Sequence, residues 1–419
     1  MENLQRIYDK IWQKKIPQIL FYLALTIELG MVIIDKSNYI NPIEGTLFRV
    51  TFVLFALKLF STEYTWKEWT LIVFFEVIGI ISYKVTCKND VIRIVTFVAA
   101  CKGIPLKQMI RYTFYVTLIG CAAIVLLSVT GIYGEMTLTA YYGRGANHQA
   151  VYEDLSKLGI EETRYTLGMG HPNALAGMYL MLCAMGIYAF SEKMKWYSYL
   201  FLMLLNVGIY CLTSSKTSML ITTCLLLGGF VMTYCQFFRN HRITYILAFL
   251  VFAFCIGFSV DAAAYATKVQ QAKWNEIYAG GPNADAHTIL LLRIDEPLNG
   301  RIQSLTDSEN DDGSMETWSV FSCPNNMNYY FDMGWVKLFY RYGVIPGILY
   351  CLANLFLLWH FYRRKDAFGL VVFTVLAVYS IVEAHLFSPY IGRNFLLMMM
   401  GDYFLWDKTG IEKRVGESI

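Results

Sequence analysis

The stretch FDMGWVKLFYRYGVIPG, Phe331 to Gly347, joins a long polar segment to an apolar run and carries Asp332, Lys337 and Arg341 into it. An ionisable side chain costs roughly 2.5 to 3.5 kcal/mol at the centre of a membrane helix, so it faces a cavity or a partner. Lysine and arginine can instead stretch to the headgroups. The short carboxylate of Asp332 has no such reach, and what it faces decides how the chain is read. At about 100° per residue Lys337 and Arg341 share a helix face, with Asp332 opposite unless Gly334 breaks the helix. That it is a membrane helix at all follows from composition. The 419 residues are 56% hydrophobic and 16% charged, with mean hydropathy +0.42, outside the range of soluble domains. The expectation is an all-α, polytopic helical membrane protein forming a single integral membrane domain over residues 1–419.

Spans of about 20 apolar residues cross about 30 Å of hydrocarbon. By that rule about twelve are expected: Gln18–Ile34, Leu47–Phe60, Trp69–Tyr83, Val91–Cys101, Tyr112–Tyr133, Ala174–Phe190, Trp196–Leu212, Ser218–Phe238, Ile243–Val260, Gly334–Phe361, Phe368–Val382 and Phe395–Trp406. The second and fourth are short and carry Arg49 and Arg93. The basic start MENLQRIYDKIWQKKIP leads into an uncleaved first span. Basic residues recur in alternate connections, at Lys102, Lys107 and Arg111, at Lys193 and Lys195, at Arg239 and Arg242, at Arg363 to Lys365, and at Lys408, Lys413 and Arg414. That pattern places both termini in the cytoplasm. The long connections Glu135 to Gly170 and Ala262 to Tyr330 then face outside, and connections of that length usually carry function.

The net charge of +3 is too small and too scattered for a nucleic-acid partner. The ten cysteines show neither C-x-x-C nor zinc spacing, although Cys87 and Cys323, both expected outside, could pair. The acidic run Asp307, Glu309, Asp311 and Asp312 fails as a calcium loop, because Asp312 and Trp318 fall where glycine and glutamate are needed. No nucleotide, hydrolase or zinc-protease motif is present, and no metal or cofactor is expected.

Polar residues at the outer ends of spans remain. In RYTLGMGHPNALAG, Arg164 to Gly177, the glycines and Pro172 shape a turn in which His171 and Asn173 open a helix whose free N–H groups favour an anion, or simply cap it. In LTSSKTSML, Leu212 to Leu220, Lys216 offers a cation and Ser215 a hydroxyl to a phosphate, or the segment is an ordinary polar loop. In EAHLFSPYIGRN, Glu383 to Asn394, His385 and Arg393 join Glu383 at the rim. Lys216 and Arg164 are the preferred cationic partners of Asp332. Tyr141, Tyr142, Trp318, Tyr329, Tyr330 and Trp335 are expected in the interfacial aromatic belt, with a few available as sugar platforms.

These stretches, in this order, resemble the O-antigen polymerase and ligase superfamily, in particular its Gram-positive members. RYTLGMGHPN is similar to their Gly-His-Pro-Asn turn. TSSKTS stands where such proteins have a Ser-Arg pair, and Asp332 to Trp335 with Gly343 stands where polymerases show Asp-Asn-Ser-Tyr followed by Tyr-Gly. The motifs cover scattered parts of Arg164 to Gly347. Lys216 in place of arginine keeps the charge and loses the bidentate fork, and Met333 and Gly334 replace a polar pair. Asp332, where ligases carry histidine, favours a polymerase.

The resemblance implies a glycosyltransferase of the bacterial cytoplasmic membrane. It would move a growing capsular or exopolysaccharide chain from undecaprenyl diphosphate to the next lipid-linked repeat unit, alongside other polysaccharide assembly proteins. Asp332 would orient the acceptor hydroxyl or take its proton, and Lys216 and Arg164, with Arg144, would hold the diphosphate. The alternatives are a ligase-like glycan transferase, a transporter or flippase of the same lipid, and a non-catalytic scaffold.

Overall fold

The computed structural model describes residues 2–140, 162–306, 313–322 and 331–404. In chain order these form α1 (Glu2–Asp35), α2 (Glu44–Phe60), α3 (Trp66–Thr86), α4 (Asp90–Ala100), α5 (Leu106–Val129), β1 (Thr137–Ala140), β2 (Glu162–Tyr165), α6 (Pro172–Phe190), α7 (Trp196–Thr213), α8 (Lys216–Tyr234), α9 (Gln236–Asn240), α10 (Arg242–Tyr278), α11 (Ala286–Asp295), α12 (Gly334–Tyr342), α13 (Val344–Arg364), α14 (Ala367–Val382) and α15 (Leu396–Phe404). Among the described residues the one sheet is the antiparallel pair β1–β2.

The protein is a predominantly helical, multi-pass membrane protein. Among the described residues eight helices are long and apolar enough to cross a bilayer: α1 from Lys15, α3, α5, α6, α7, α8, α10 and α13. Large apolar side chains such as Phe201, Leu204, Leu220 and Phe254 stand exposed on them, a surface that lipid satisfies and water does not. The remaining expected spans are shorter helices. α2 has 17 residues, α14 has 16, α4 has 11 and α15 has 9. At about 1.5 Å per residue α4 rises only about 16 Å. It compensates by burying charge: Arg93 pairs with Glu28 at 2.9 Å, both nearly inaccessible, while Thr51 donates to the same Glu28 oxygen and Arg93 to the Pro389 carbonyl.

The core is built round α6 and α14, with Phe21, Leu180, Leu225, Phe252, Leu357, Phe373 and Met399 fully inside. Helix ends gather at two polar faces. At one, Lys102 pairs with Glu68, Lys107 with Glu192 and Arg364 with Asp402, and Asp366 accepts from Tyr188 and Tyr403. The other holds the candidate site.

Two expectations about segments change. The run expected as one span from Gly334 to Phe361 is two helices, because Gly343 sits at φ 97° and residues 319–322 cross against it. A Cβ at Gly343 would lie 2.6 Å from the Phe321 Cα. The helix expected to stop at Val260 runs on to Tyr278, so the Ala262 to Tyr330 connection is partly ordered helix. Its Ala262, Ala263, Ala266, Val269 and Ala272 are narrow enough to bury a stripe against Leu291, Leu292, Ile302, Leu305, Phe331, Met333, Val336 and Tyr340. This second apolar cluster grips the chain on both sides of Asp332.

Candidate functional site

Phe331 and Met333 are buried in that cluster, which leaves Asp332 between them with its side chain 35% exposed. Its ion partner is Arg301, whose Nη2 lies 3.3 Å from Asp332 Oδ2 and 2.6 Å from Glu383 Oε1. Gly334 makes the meeting possible. A Cβ there would stand 2.7 Å from the Glu383 carbonyl and 2.9 Å from that of Ser380, so only glycine lets the start of α12 touch the end of α14. Trp335 locks the contact by donating its indole N–H to the Ala377 carbonyl at 2.9 Å. It is therefore buried core and not part of the aromatic belt. Trp318 likewise stacks on Phe339, 4.9 Å between ring centres.

Cations surround this pair of carboxyls. Lys36, just beyond α1, pairs with Asp35 at 3.3 Å, and Asp35 also pairs with Arg393. Lys337 on α12 lies in the fields of Arg341, Asp332, Arg393 and Lys36. Arg164, buried on β2, acts on His171 together with Lys36 and Asp332. Burial pushes Lys36 down to about 8, and Arg393 adds to the push. Burial also lowers His171, against the pull of Asp332, and holds His385 well below its ordinary value, with Arg393 and Lys36 adding to that. Both histidines are therefore neutral at pH 7. His385 faces Gly177, where an added Cβ would come within 3.5 Å of its ring, and its buried Nε2 has no hydrogen-bond partner among the described residues.

The residues singled out from sequence are divided by this geometry. Asp332, His171, Arg164, His385 and Arg393 share one electrostatic neighbourhood. His171 caps α6 by accepting the Asn173 N–H at 3.1 Å, which places Asn173 on the first turn. Ser215 donates to Ser218 at 3.2 Å, and Ser218 bonds Tyr379 behind Glu383. Arg341 is tied to Asp90 at 3.2 Å. Because α12 begins at Gly334, Asp332 precedes the helix, and the opposite-face argument against Arg341 does not apply. Lys216 is the exposed first residue of α8 and forms no hydrogen bond or ion pair among the described residues. The expected Lys216 partnership with Asp332 is thus replaced by Arg301. Arg144, Cys323, the acidic run at 307–312 and Tyr141, Tyr142, Tyr329 and Tyr330 lie outside the described residues.

No family model, curated protein or solved structure matches this chain. Function therefore rests on the site. Arg301 and Lys36 are its members that sequence reasoning left out, while Glu383 was named at the rim without a role. Arg301 sits in a loop with no motif round it. The pair Asp35-Lys36 at the end of the first apolar run was a usable signal, since charge there needs a partner.

Beside the cluster an apolar groove runs between α3, α4, α13 and α15, lined among others by Ile94, Val98, Leu338, Tyr342, Ala353 and Leu397. Leu338 and Tyr342 follow Lys337 and Arg341 directly on α12, so cations and groove wall alternate along one helix. Among the described residues no three His, Cys, Asp or Glu side chains gather as a metal site.

Proposed function

We propose that the chain is a polymerase of lipid-linked oligosaccharide repeat units, transferring the growing glycan from undecaprenyl diphosphate to the acceptor unit at the outer face of a bacterial cytoplasmic membrane. The observation that carries the reading is Asp332, half-open and fixed by Arg301, set among Lys36, Lys337, Arg393 and Arg164. A cation-rich pocket suits a diphosphate, and a carboxylate within it suits an acceptor hydroxyl. The apolar groove alongside suits the prenyl chain. The reading keeps about twelve passes with both termini cytoplasmic, the shorter helices filling the count.

In the proposed reaction the acceptor oxygen bonds to the anomeric carbon and gives its proton to Asp332. The carbon–oxygen bond to the diphosphate breaks, and the electron pair leaves with the diphosphate, whose charge Lys36, Lys337 and Arg393 hold. Lys216 moves from the centre of the mechanism to its margin, because among the described residues it forms no hydrogen bond or ion pair with the cluster.

The test is complementation of a strain deleted for this chain. Asp332→Asn is expected to lower long-chain surface glycan by about a hundredfold or more, within the range of general-base catalysis, and single units accumulate. Lys216→Ala is expected to change chain output less than about threefold, in keeping with a residue outside the ion-pair network. Long chains from Asp332→Asn at normal expression would remove the base from the proposal. Lipid-linked units retained on the cytoplasmic side would make the protein a transporter.

A further inference from the structure

Glu383 stands behind Asp332 on the same guanidinium nitrogen, at 2.6 Å against 3.3 Å. One guanidinium nitrogen thus serves two carboxyls, which would crowd two negative charges on it if both were ionised. Exposure separates them. The Asp332 side chain is 35% accessible, those of Glu383 and Arg301 12% and 10%, so Asp332 alone of the three is open to a substrate. Their spacing is fixed by the close approach of Gly334 to the Glu383 carbonyl. The other groups facing Glu383 are Lys36 from the end of α1 and Tyr379 from α14, with Lys337, Arg393, His171 and His385 in the surrounding shell.

We propose that Glu383 is a positioning residue for Asp332: as the carboxylic acid it holds Arg301 without competing for its charge, leaving Asp332 the single carboxylate before the acceptor hydroxyl. This rests on the polymerase reading and adds to it the control of the base. Glu383 keeps its own proton through the cycle, while the acceptor proton passes to Asp332 and then to water. Burial, and next the charge of Asp332, raise Glu383 well above the usual carboxylate range against Arg301 and Lys36. Once it ionises, a second negative charge takes a share of Arg301 and repels the incoming diphosphate.

Lys36 and Lys337 lose their charge in the same range, being lowered to about 8 and about 7, so the test is made in a Lys36→Arg background, every variant of which also carries Lys337→Arg, and both arginines stay cationic. Membrane vesicles bearing the protein are given lipid-linked repeat units extracted from the deletion strain, and elongation is followed against pH. In Lys36→Arg the rate is expected to fall on the alkaline side, approaching tenfold per pH unit as for one essential protonated group. Adding Glu383→Gln lowers the rate several-fold at neutral pH and abolishes that alkaline fall. An alkaline limb that persists unchanged in the glutamine variant overturns the proposal.

Infrared difference spectra across the same pH range give a second readout that needs no turnover. A protonated-carboxyl band is lost on raising the pH in Lys36→Arg and in Lys36→Arg with Asp332→Asn. The band is diminished by one carboxyl once Glu383→Gln is added, other buried carboxyls keeping their share. A titrating band left unchanged by Glu383→Gln overturns the assignment as well. If the unaltered protein elongates nothing, the polymerase reading fails, and the infrared result still decides where the proton sits.

Discussion

Arg93 shows what a single charge does in this fold. It lies 2% exposed against a wholly buried Glu28 and reaches the Pro389 carbonyl at 3.0 Å, tying α4 to α1 and to the segment that carries Arg393. Removing one member of a buried pair strands the other, at a cost of about 3 to 5 kcal/mol, whereas replacing both by apolar residues is often neutral. Arg93→Met is therefore expected to lower the unfolding temperature in detergent sharply, and Glu28→Leu with Arg93→Met to recover most of the loss. Equal loss in the single and double variants would show that the pair does not act as a unit. Sequence marked Arg93 as an oddity in a weak span, but Glu28, in the middle of a strong one, carries no periodic signal that names its partner. Asp332 was legible because a short acidic side chain entering an apolar run has few places to go. Arg301 was not, because a loop arginine gains its role only when α11 folds back on α10.

At the scale of elements, the break between α12 and α13 sets the geometry. Val344 and Ile345 donate their N–H groups to the Ser319 and Val320 carbonyls at 2.9 and 3.1 Å, so residues 319–322 are stitched into the interruption. A left-handed residue with a Cβ costs about 1 to 2 kcal/mol before any clash, and here the added atom meets backbone. Gly343→Ala should destabilise the protein by more than that figure and open residues 319–322 to protease at temperatures where the parent resists. Unchanged cleavage would mean that the segment is held elsewhere. The hydropathy pattern ran through this point without pause, since Tyr-Gly-Val-Ile-Pro looks as apolar as its surroundings. The same pattern stopped α10 at Val260, because alanines and amides lower hydropathy while leaving helix propensity intact.

For the molecule as a whole, the two polar faces of the bundle can be told apart chemically. Cys87 closes α3 at the face that carries the site, and Cys235 closes α8 at the opposite face, both exposed. With the other cysteines replaced, a membrane-impermeant thiol reagent is expected to label Cys87 in intact cells and Cys235 only after permeabilisation. The reverse result would turn the protein over and put the site in the cytoplasm. The helical membrane class was readable from composition, because the bilayer leaves an apolar chain few other ways to satisfy its backbone. The pocket was not, since it forms where four helix ends converge and none of them adjoins another in sequence.

Helix α10 is one unbroken rod from Arg242 to Tyr278, its 37 residues making about 55 Å, nearly twice the hydrocarbon thickness. Its lower half is wedged in the bundle through Tyr245 and Phe252, and its upper half holds the residues flanking Asp332. Its far end is tied to α11, where Arg293 pairs with Glu276 at 2.8 Å. One rigid element therefore joins the bilayer-embedded packing to the mounting of Asp332, and a displacement at either end is felt at the other.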